Sequence, residues 1–149
     1  MITGKNYIGF ELSAEGTKTY RTFNPKKNKE NEHTFTEATK DEINKAAQLA
    51  SRAFKKYRSI SGNRRATFLN AIADEIEALG DTLVQTYTSE SGLPEGRAKG
   101  ERGRTVGQLR MFAKLIENDA WREPTIDTAI PDRAPTPKPD LRQLQVPIG

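Results

Sequence analysis

Four glycines inside one predicted helix constrain this chain more than any other feature of its sequence. They are Gly96, Gly100, Gly103 and Gly107, within the segment LPEGRAKGERGRTVGQLRMFAKLI at residues 93–116. Each glycine inside a helix costs about 1 kcal/mol relative to alanine. At about 100° per residue, all four fall within an arc of roughly 60°. The helix is therefore predicted to carry one face that has no side chains.

The opposite side of this helix is apolar and predicts a stripe that faces a core. It consists of Ala98, Thr105, Val106, Leu109, Phe112, Ala113 and Ile116. Two interpretations of the bare face remain open: another helix or loop packs closely against it, or it forms the wall of a cavity. In the second, the flanking residues Arg104, Lys99 and Arg110 would meet a ligand's charge, because a guanidinium fork binds two carboxylate or phosphate oxygens.

The positive charge of the chain is concentrated in the same segment. The net charge is +4, and residues 97–110 alone hold five basic residues against Glu101, which also gives +4 (five minus one). The basic residues are Arg97, Lys99, Arg102, Arg104 and Arg110. A local positive patch of this kind requires an anionic partner or an acidic neighbouring surface.

The N-terminal part of the sequence predicts short strands. The segments NYIGFEL (6–12) and TKTYRTF (17–23) are rich in aromatic and β-branched residues, as strands are. The polar run KKNKENE (26–32) is predicted to interrupt them, with one more short strand at residues 33–36.

Four helices are predicted to follow these strands. Thr39 and Glu42 have the spacing of a capping box, which starts a first helix that ends near Tyr57. A second helix is predicted over 62–79, a third is capped by Asp81 and ends before Gly92, and Pro94 begins the fourth.

The last thirty residues are predicted to be extended. Five of the eight prolines lie between Trp121 and Asp140, and Leu144, Val146 and Ile148 then alternate as in a strand. We therefore expect a mainly α chain in three parts. These are an N-terminal strand segment at 1–38, a four-helix segment at 39–120, and a proline-rich arm with a final strand at 121–149.

No convincing catalytic constellation is present in the sequence. The chain has no cysteine, which excludes a thiol nucleophile, a disulfide and a thiolate metal site. Its single histidine, His33, lies in a polar run and is predicted to be a surface residue. Neither phosphate-binding motif, GxGxxG or GxxxxGK[ST], occurs. We assign no catalytic, cofactor-binding or metal-binding residue, and in the absence of an apolar span or a signal-peptide layout we expect a cytoplasmic protein.

Several segments, in this order, resemble the N-terminal region of NAD(P)-dependent aldehyde dehydrogenases. They are FNP (23–25), HTFTEATKDEINKAAQLASRAFKKY (33–57), NRRATFLNAIADEIEALGDTLVQTYTSESGLPEGRAKGE (63–101), LRMFA (109–113) and the terminal PIG (147–149). Within that family, SESGLPEGRAKGERGRTVGQLRMFA and PDRAPTPKPDLRQLQVPIG are most similar to the α-ketoglutaric semialdehyde (2,5-dioxovalerate) dehydrogenase group.

The resemblance implies that the chain is the incomplete N-terminal part of the α/β aldehyde dehydrogenase fold. The catalytic cysteine, the general base and the dinucleotide site would lie beyond Gly149, so this chain alone would bind no cofactor and be inactive. The glycine-bearing helix would line the aldehyde tunnel, with Gly100 and Arg104 at tunnel positions and Arg104 facing a distal carboxylate.

The resemblance also implies the partners of the complete enzyme. It would oxidise an aldehyde, such as α-ketoglutaric semialdehyde, to an acid with NAD or NADP, with NADP favoured. It would pack against the remainder of the same polypeptide and form a homo-oligomer, without nucleic acid or membrane partners.

Two alternatives remain open at this point. A basic helical nucleic-acid-binding module would explain the run GRAKGERGR through phosphate contacts, although this run has no interleaved aromatic residues for base stacking. An inactive structural remnant of a truncated gene would have the same fold and differ only in function.

Overall fold

The computed structural model describes residues 2–148, so Met1 and Gly149, the last residue of the terminal PIG, lie outside the described residues. The described residues form four α-helices, a 3-10 turn and three strand pairs. The strands are β1 (Asn6–Ile8), β2 (Glu11–Ser13), β3 (Thr19–Asn24), β4 (Lys29–Thr36), β5 (Thr125–Asp127) and β6 (Leu141–Gln143). The helices are α1 (Lys40–Tyr57), α2 (Gly62–Ala78), α3 (Gly80–Ser91) and α4 (Glu95–Ile116), and the 3-10 turn is Ala120–Arg122.

The strands form three separate antiparallel pairs: β1 with β2, β3 with β4, and β5 with β6. The predicted single strand over 6–12 is wrong, because the chain reverses at Gly9, which has a φ of 65°, and forms a hairpin there. The prediction that the run at 26–32 interrupts the strands is wrong for its second half, since β4 begins at Lys29 and pairs with Asn24. The strand tolerates these polar residues because most of them are exposed to solvent.

A buried carboxylate joins the first hairpin to α1. The predicted capping box is confirmed: Thr39 Oγ1 accepts from the Glu42 amide at 3.2 Å, and Glu42 Oε2 accepts from the Thr39 amide at 2.8 Å. The second oxygen, Glu42 Oε1, accepts from the Ser13 hydroxyl and from the Glu15 amide. Glu42 is only 2% exposed. These hydrogen bonds, that from Ser13 first, lower the pKa of Glu42 from 4.5 to about 2.

The helices pack through small side chains. The most extensive helix contact joins α2 to α4, and it buries Ala66 and Ala73 of α2 with Val106 and Ala113 of α4. At one end of this contact the backbones approach closely, since a Cβ on Gly62 would lie 2.0 Å from the Ile116 carbonyl oxygen.

The third helix begins differently from the prediction. It starts at Gly80 and has no side-chain cap, so the prediction that Asp81 caps it is wrong. The left-handed φ of Gly80, 53°, lets α3 follow α2 almost directly, which places Asp81 inside the first turn rather than before it. The helix ends at Gly92, as predicted, where the chain adopts a left-handed φ of 70°.

The C-terminal arm is a long hairpin that is largely exposed. Beyond β5 and β6, an isolated bridge pairs Ile130 with Lys138, and the Lys138 ammonium pairs with Asp127. The final strand lies at 141–143, so its predicted position at Leu144, Val146 and Ile148 is wrong. The reason is that β5 supplies the pairing partner for 141–143, whereas among the described residues no strand pairs with 144–148. Within residues 2–148, no helix combines the length and apolar character that a membrane span requires.

The Glu42 contacts predict how the stability of the chain depends on pH. Because the folded-state pKa of Glu42 lies below 4.5, its stabilising effect is present above that pH and is lost as the pH falls towards about 2. We expect Glu42→Gln to lower the melting temperature at neutral pH and to flatten its dependence on pH in this window. The matched control is Asp41→Asn, which neutralises an exposed carboxylate in the same helical turn. Equal flattening by both variants in thermal unfolding would contradict this assignment.

Candidate functional site

The four glycines of α4 form an open surface, which we call the glycine face (Gly96, Gly100, Gly103 and Gly107). A Cβ built on any of them meets no atom within 4 Å, in contrast to the crowded Gly62. The close-packing interpretation therefore finds no partner for this face among residues 2–148. The face is open in the described residues, so both a close-packed partner and a cavity that it would line would have to involve polypeptide outside residues 2–148.

The opposite side of α4 holds the helix in the molecule. Ala98, Val106 and Ala113 are buried, which confirms the centre of the predicted apolar stripe. Thr105 and Phe112 depart from the prediction, because both are exposed, Phe112 over half of its surface. The packed side thus fixes α4 through small residues and leaves the glycine face turned away from α2.

Arg104 lies beside the glycine face in a row of three charged residues that we call the Arg97–Glu101–Arg104 row. Arg104 Nε and Nη2 lie 3.0 and 2.9 Å from Glu101 Oε2, and Arg97 Nη2 lies 2.6 Å from Glu101 Oε1. The Arg104 side chain is 69% exposed, so this ion pair is weak. Since Arg97 also neutralises Glu101, the row retains one positive charge, and Arg104 can turn to an anion without leaving Glu101 unpaired.

The other flank of the glycine face is occupied by internal ion pairs. Arg110 Nη2 lies 2.8 Å from Asp74 Oδ1 and 2.7 Å from Glu77 Oε2, so Arg110 joins α4 to α2 instead of facing a ligand. The hydrogen bonds to Glu77 and Asp74 raise the pKa of Arg110, and the bond from Arg110 lowers the pKa of Glu77. Lys99 pairs with Glu95 at 2.5 Å, and this contact raises the pKa of Lys99 and lowers that of Glu95.

The basic segment is thus largely neutralised by the chain itself. In addition to the pairs of Arg97, Lys99, Arg104 and Arg110, Arg102 Nη1 donates to the Gly80 carbonyl oxygen at 3.0 Å. Each of the five basic residues therefore has a partner within the chain. Arg110 and Arg102 in particular are held by carboxylates of α2 and by the Gly80 carbonyl oxygen, which directs these two cations towards the chain itself rather than towards a phosphate backbone.

The described residues do not fit a nicotinamide dinucleotide. Such cofactors bind at the carboxyl ends of parallel strands, beside a helix N-terminus. Residues 2–148 form only antiparallel pairs of two strands each. Over the same residues, no group of three or more His, Asp or Glu side chains is arranged to hold a metal ion.

Three comparisons with known proteins bear on these observations. The sequence profile described as the aldehyde dehydrogenase family matches residues 12–137. The chain is 44% identical, over 99% of its length, to "Alpha-ketoglutaric semialdehyde dehydrogenase 2" of Azospirillum brasilense. It is 40% identical, over 98% of its length, to "Alpha-ketoglutaric semialdehyde dehydrogenase" of Acinetobacter baylyi. The chain spans 28% of the length of each of these relatives.

The fold is similar to that of a solved enzyme. The crystal structure of a betaine aldehyde dehydrogenase variant from Staphylococcus aureus, in complex with NAD+, superposes with a TM-score of 0.77 and 24% sequence identity. The match covers 89% of this chain and 27% of that one. At this level of identity the likeness concerns the fold alone.

The open glycine face predicts opposite effects for two glycine substitutions. Gly103→Ala should stabilise the chain by about 1 kcal/mol, because α4 gains helix propensity and the methyl group meets no atom within 4 Å. Gly62→Ala is the matched control and should destabilise it, since its Cβ would collide with the Ile116 carbonyl oxygen. The measurement is the midpoint of urea unfolding for the three proteins. A lower midpoint for Gly103→Ala would show that the glycine face is packed in solution.

Proposed function

The chain belongs to the aldehyde dehydrogenase family, and on this basis we propose that it forms the N-terminal part of an enzyme that oxidises an aldehyde to a carboxylic acid. The resemblance to this family that the sequence motifs indicated is confirmed by the profile match and by the two relatives. The observation that carries the proposal is the 44% identity that extends over 99% of the chain.

The proposed substrate is a semialdehyde that carries a carboxylate at its far end, such as α-ketoglutaric semialdehyde. Both relatives are named for that compound. A cation beside an open helix face suits such a substrate, because the face leaves room for the carbon chain and the cation meets the carboxylate.

In this proposal, Gly100 and Arg104 line the path of the aldehyde. Gly100 provides space, since a Cβ there would extend into an open region. Arg104 would exchange its exposed contact with Glu101 for the substrate carboxylate, while Arg97 keeps Glu101 neutralised. The exchange costs little because exposed ion pairs contribute little to stability.

The nicotinamide cofactor of the complete enzyme would be held by residues outside this chain. A similar fold occurs in an enzyme that was solved with NAD+. We propose NAD or NADP as the hydride acceptor, with NADP favoured, and assign none of the described residues to its binding.

The remainder of the same polypeptide is the proposed partner of the apolar surface. Large apolar side chains on α1, α2 and α4, at Leu79 after α2 and on the first hairpin are at least half exposed, an arrangement typical of surfaces that are covered in an assembly. They include Tyr7, Phe10, Ile43, Phe68, Leu79, Met111, Phe112 and Leu115. We propose further that the complete enzyme is a homo-oligomer.

The first prediction from this function concerns the 149-residue chain alone. It should form no NADH or NADPH from an aldehyde and NAD or NADP, because it has no cysteine to add to the aldehyde carbon. The measurement is the increase in absorbance of NADH or NADPH over time, with a complete family member as positive control. Production of reduced cofactor that depends on this chain would contradict the prediction.

The second prediction concerns Arg104 in the complete enzyme. Arg104→Ala should lower kcat/KM for a carboxylate-bearing semialdehyde by about 10- to 150-fold, the range expected for one lost hydrogen bond to a charged group. An uncharged aldehyde of similar length should be affected little.

The matched control is Arg142→Ala, which removes an exposed arginine of the C-terminal arm that is paired with Asp140. It should leave the ratio of kcat/KM between the charged and the uncharged aldehyde close to that of the wild type. If Arg104 serves only to pair with Glu101, its removal will affect both aldehydes alike, and an unchanged ratio will exclude the carboxylate role.

A further inference from the structure

A polar cavity of about 350 Å3 lies where the start of α2 meets the turn that follows α4. Its walls come from the α1–α2 loop, the first turns of α2, the 3-10 turn and the chain at 146–147. The lining residues are Arg58, Ser59, Ile60, Ser61, Arg65, Asp119, Trp121, Arg122, Val146 and Pro147. We call this space the Arg65 cavity; it shares no residue with the glycine face.

Arg65 is a buried cation with long contacts. The residue is 8% exposed. Its Nη1 donates to the Arg58 carbonyl oxygen at 3.5 Å, and its Nη2 lies 3.5 Å from Asp119 Oδ1. The Trp121 ring lies 5.9 Å from Arg65 Cζ and adds a cation–π contact. A guanidinium group has five N–H donors, and a buried charge requires close partners, so Arg65 retains capacity to bind an acceptor.

Two further donors in the cavity wall are buried without a partner among the described residues. They are the indole nitrogen Trp121 Nε1 and the guanidinium nitrogen Arg122 Nε. On the acceptor side, Asp119 Oδ1 is buried as well and has only its long contact with Arg65. An unsatisfied buried donor is costly, and both nitrogens only donate, so the residues of this wall have fewer acceptors than donors.

The charge around the cavity indicates what kind of acceptor fits. Among the lining residues, Arg65 and Arg122 stand against one acid, Asp119, a balance of +1 (two minus one), since the Arg58 guanidinium lies over the Phe54 ring at 5.4 Å. The N-cap residue Ser61 brings the positive end of α2 to the same wall. An ordered water molecule could accept hydrogen bonds, but it would leave this charge unbalanced.

We propose that the Arg65 cavity binds a small oxyanion, a carboxylate or a phosphate group, through the guanidinium groups of Arg65 and Arg122. An oxyanion supplies several acceptor lone pairs to these donors and matches the planar guanidinium fork. The same chemistry is available from a free anion and from an acidic side chain elsewhere in a complete enzyme.

The test uses Trp121, the single tryptophan of the chain, as a reporter. The chain is titrated with sodium phosphate and separately with sodium acetate, with ionic strength held constant by chloride. We expect a saturable change in Trp121 emission for at least one of the two anions. Thermal unfolding provides a second measurement, since an anion that binds the folded state raises the melting temperature as its concentration rises.

Two variants distinguish anion binding at the Arg65 cavity from a general effect of the chain's positive charge on anion binding. Arg122→Gln should weaken the apparent affinity about 10-fold or more. Arg142→Gln removes the same charge from an exposed residue outside the cavity, which is paired with Asp140, and should behave as the wild type. Equal weakening by both variants would overturn the proposal.

The remaining outcomes are equally decisive. A saturable response in the 149-residue chain that Arg122→Gln weakens supports the proposal, and its absence from the melting temperature of a complete enzyme shows that further polypeptide covers the site there. A response in both identifies a free anion. A flat response in both proteins, in emission and in melting temperature, shows that the cavity holds only water and overturns the proposal.

Discussion

The contact between α2 and α4 determines the orientation of the glycine face and of the flanking charges. Ala66 and Ala73 of α2 and Val106 and Ala113 of α4 are buried, and side chains this small allow the helix axes to approach closely. Gly62 permits the same approach at one end, where the first turn of α2 lies against the last carbonyl groups of α4. On the solvent side of this contact, Arg110 of α4 forms ion pairs with Asp74 and Glu77 of α2. Together these contacts fix the rotation of α4 about its axis, and this rotation turns the glycines outwards.

A core of small residues has an energetic consequence. Burial stabilises a protein by about 25 cal/mol per Å2 of apolar surface removed from water, so an alanine contributes much less than a leucine or phenylalanine. In this chain the buried apolar residues are mostly Ala and Val, whereas Phe68, Phe112 and Leu115 remain half exposed. The apolar surface that could contribute most to stability is therefore the part that the described residues leave uncovered. This supports the proposal that the helices pack on further polypeptide.

The sequence predicted the elements better than their contacts. Helix boundaries and the Thr39–Glu42 box follow from local signals, because capping and 3.6-residue periodicity depend on neighbours in sequence. The first hairpin and the early start of β4 were missed, since their pairing depends on turns at Gly9 and Asn28 that composition alone does not reveal.

At the candidate site, the arc of glycines was predictable from spacing. The Arg97–Glu101–Arg104 row has the i, i+4, i+7 spacing of one helix face and could have been found in the same way. The partners of Arg110 could not, because Asp74 and Glu77 lie more than thirty positions away and depend on how α2 meets α4.

The glycine face and the charged residues at its edges must contribute differently to the binding of a ligand. In the interior of a helix the backbone N–H groups already bond to carbonyl groups four residues earlier, so removing side chains exposes few free donors. The face can therefore provide room but little attraction. Attraction must come from the edges, and there Arg110 and Lys99 are engaged with carboxylates from α2 and from the first turn of α4. Arg104 differs, because its partner Glu101 is also held by Arg97. Because Arg97 and Arg104 share one carboxylate, either of them can pair with an incoming anion while the other keeps Glu101 paired.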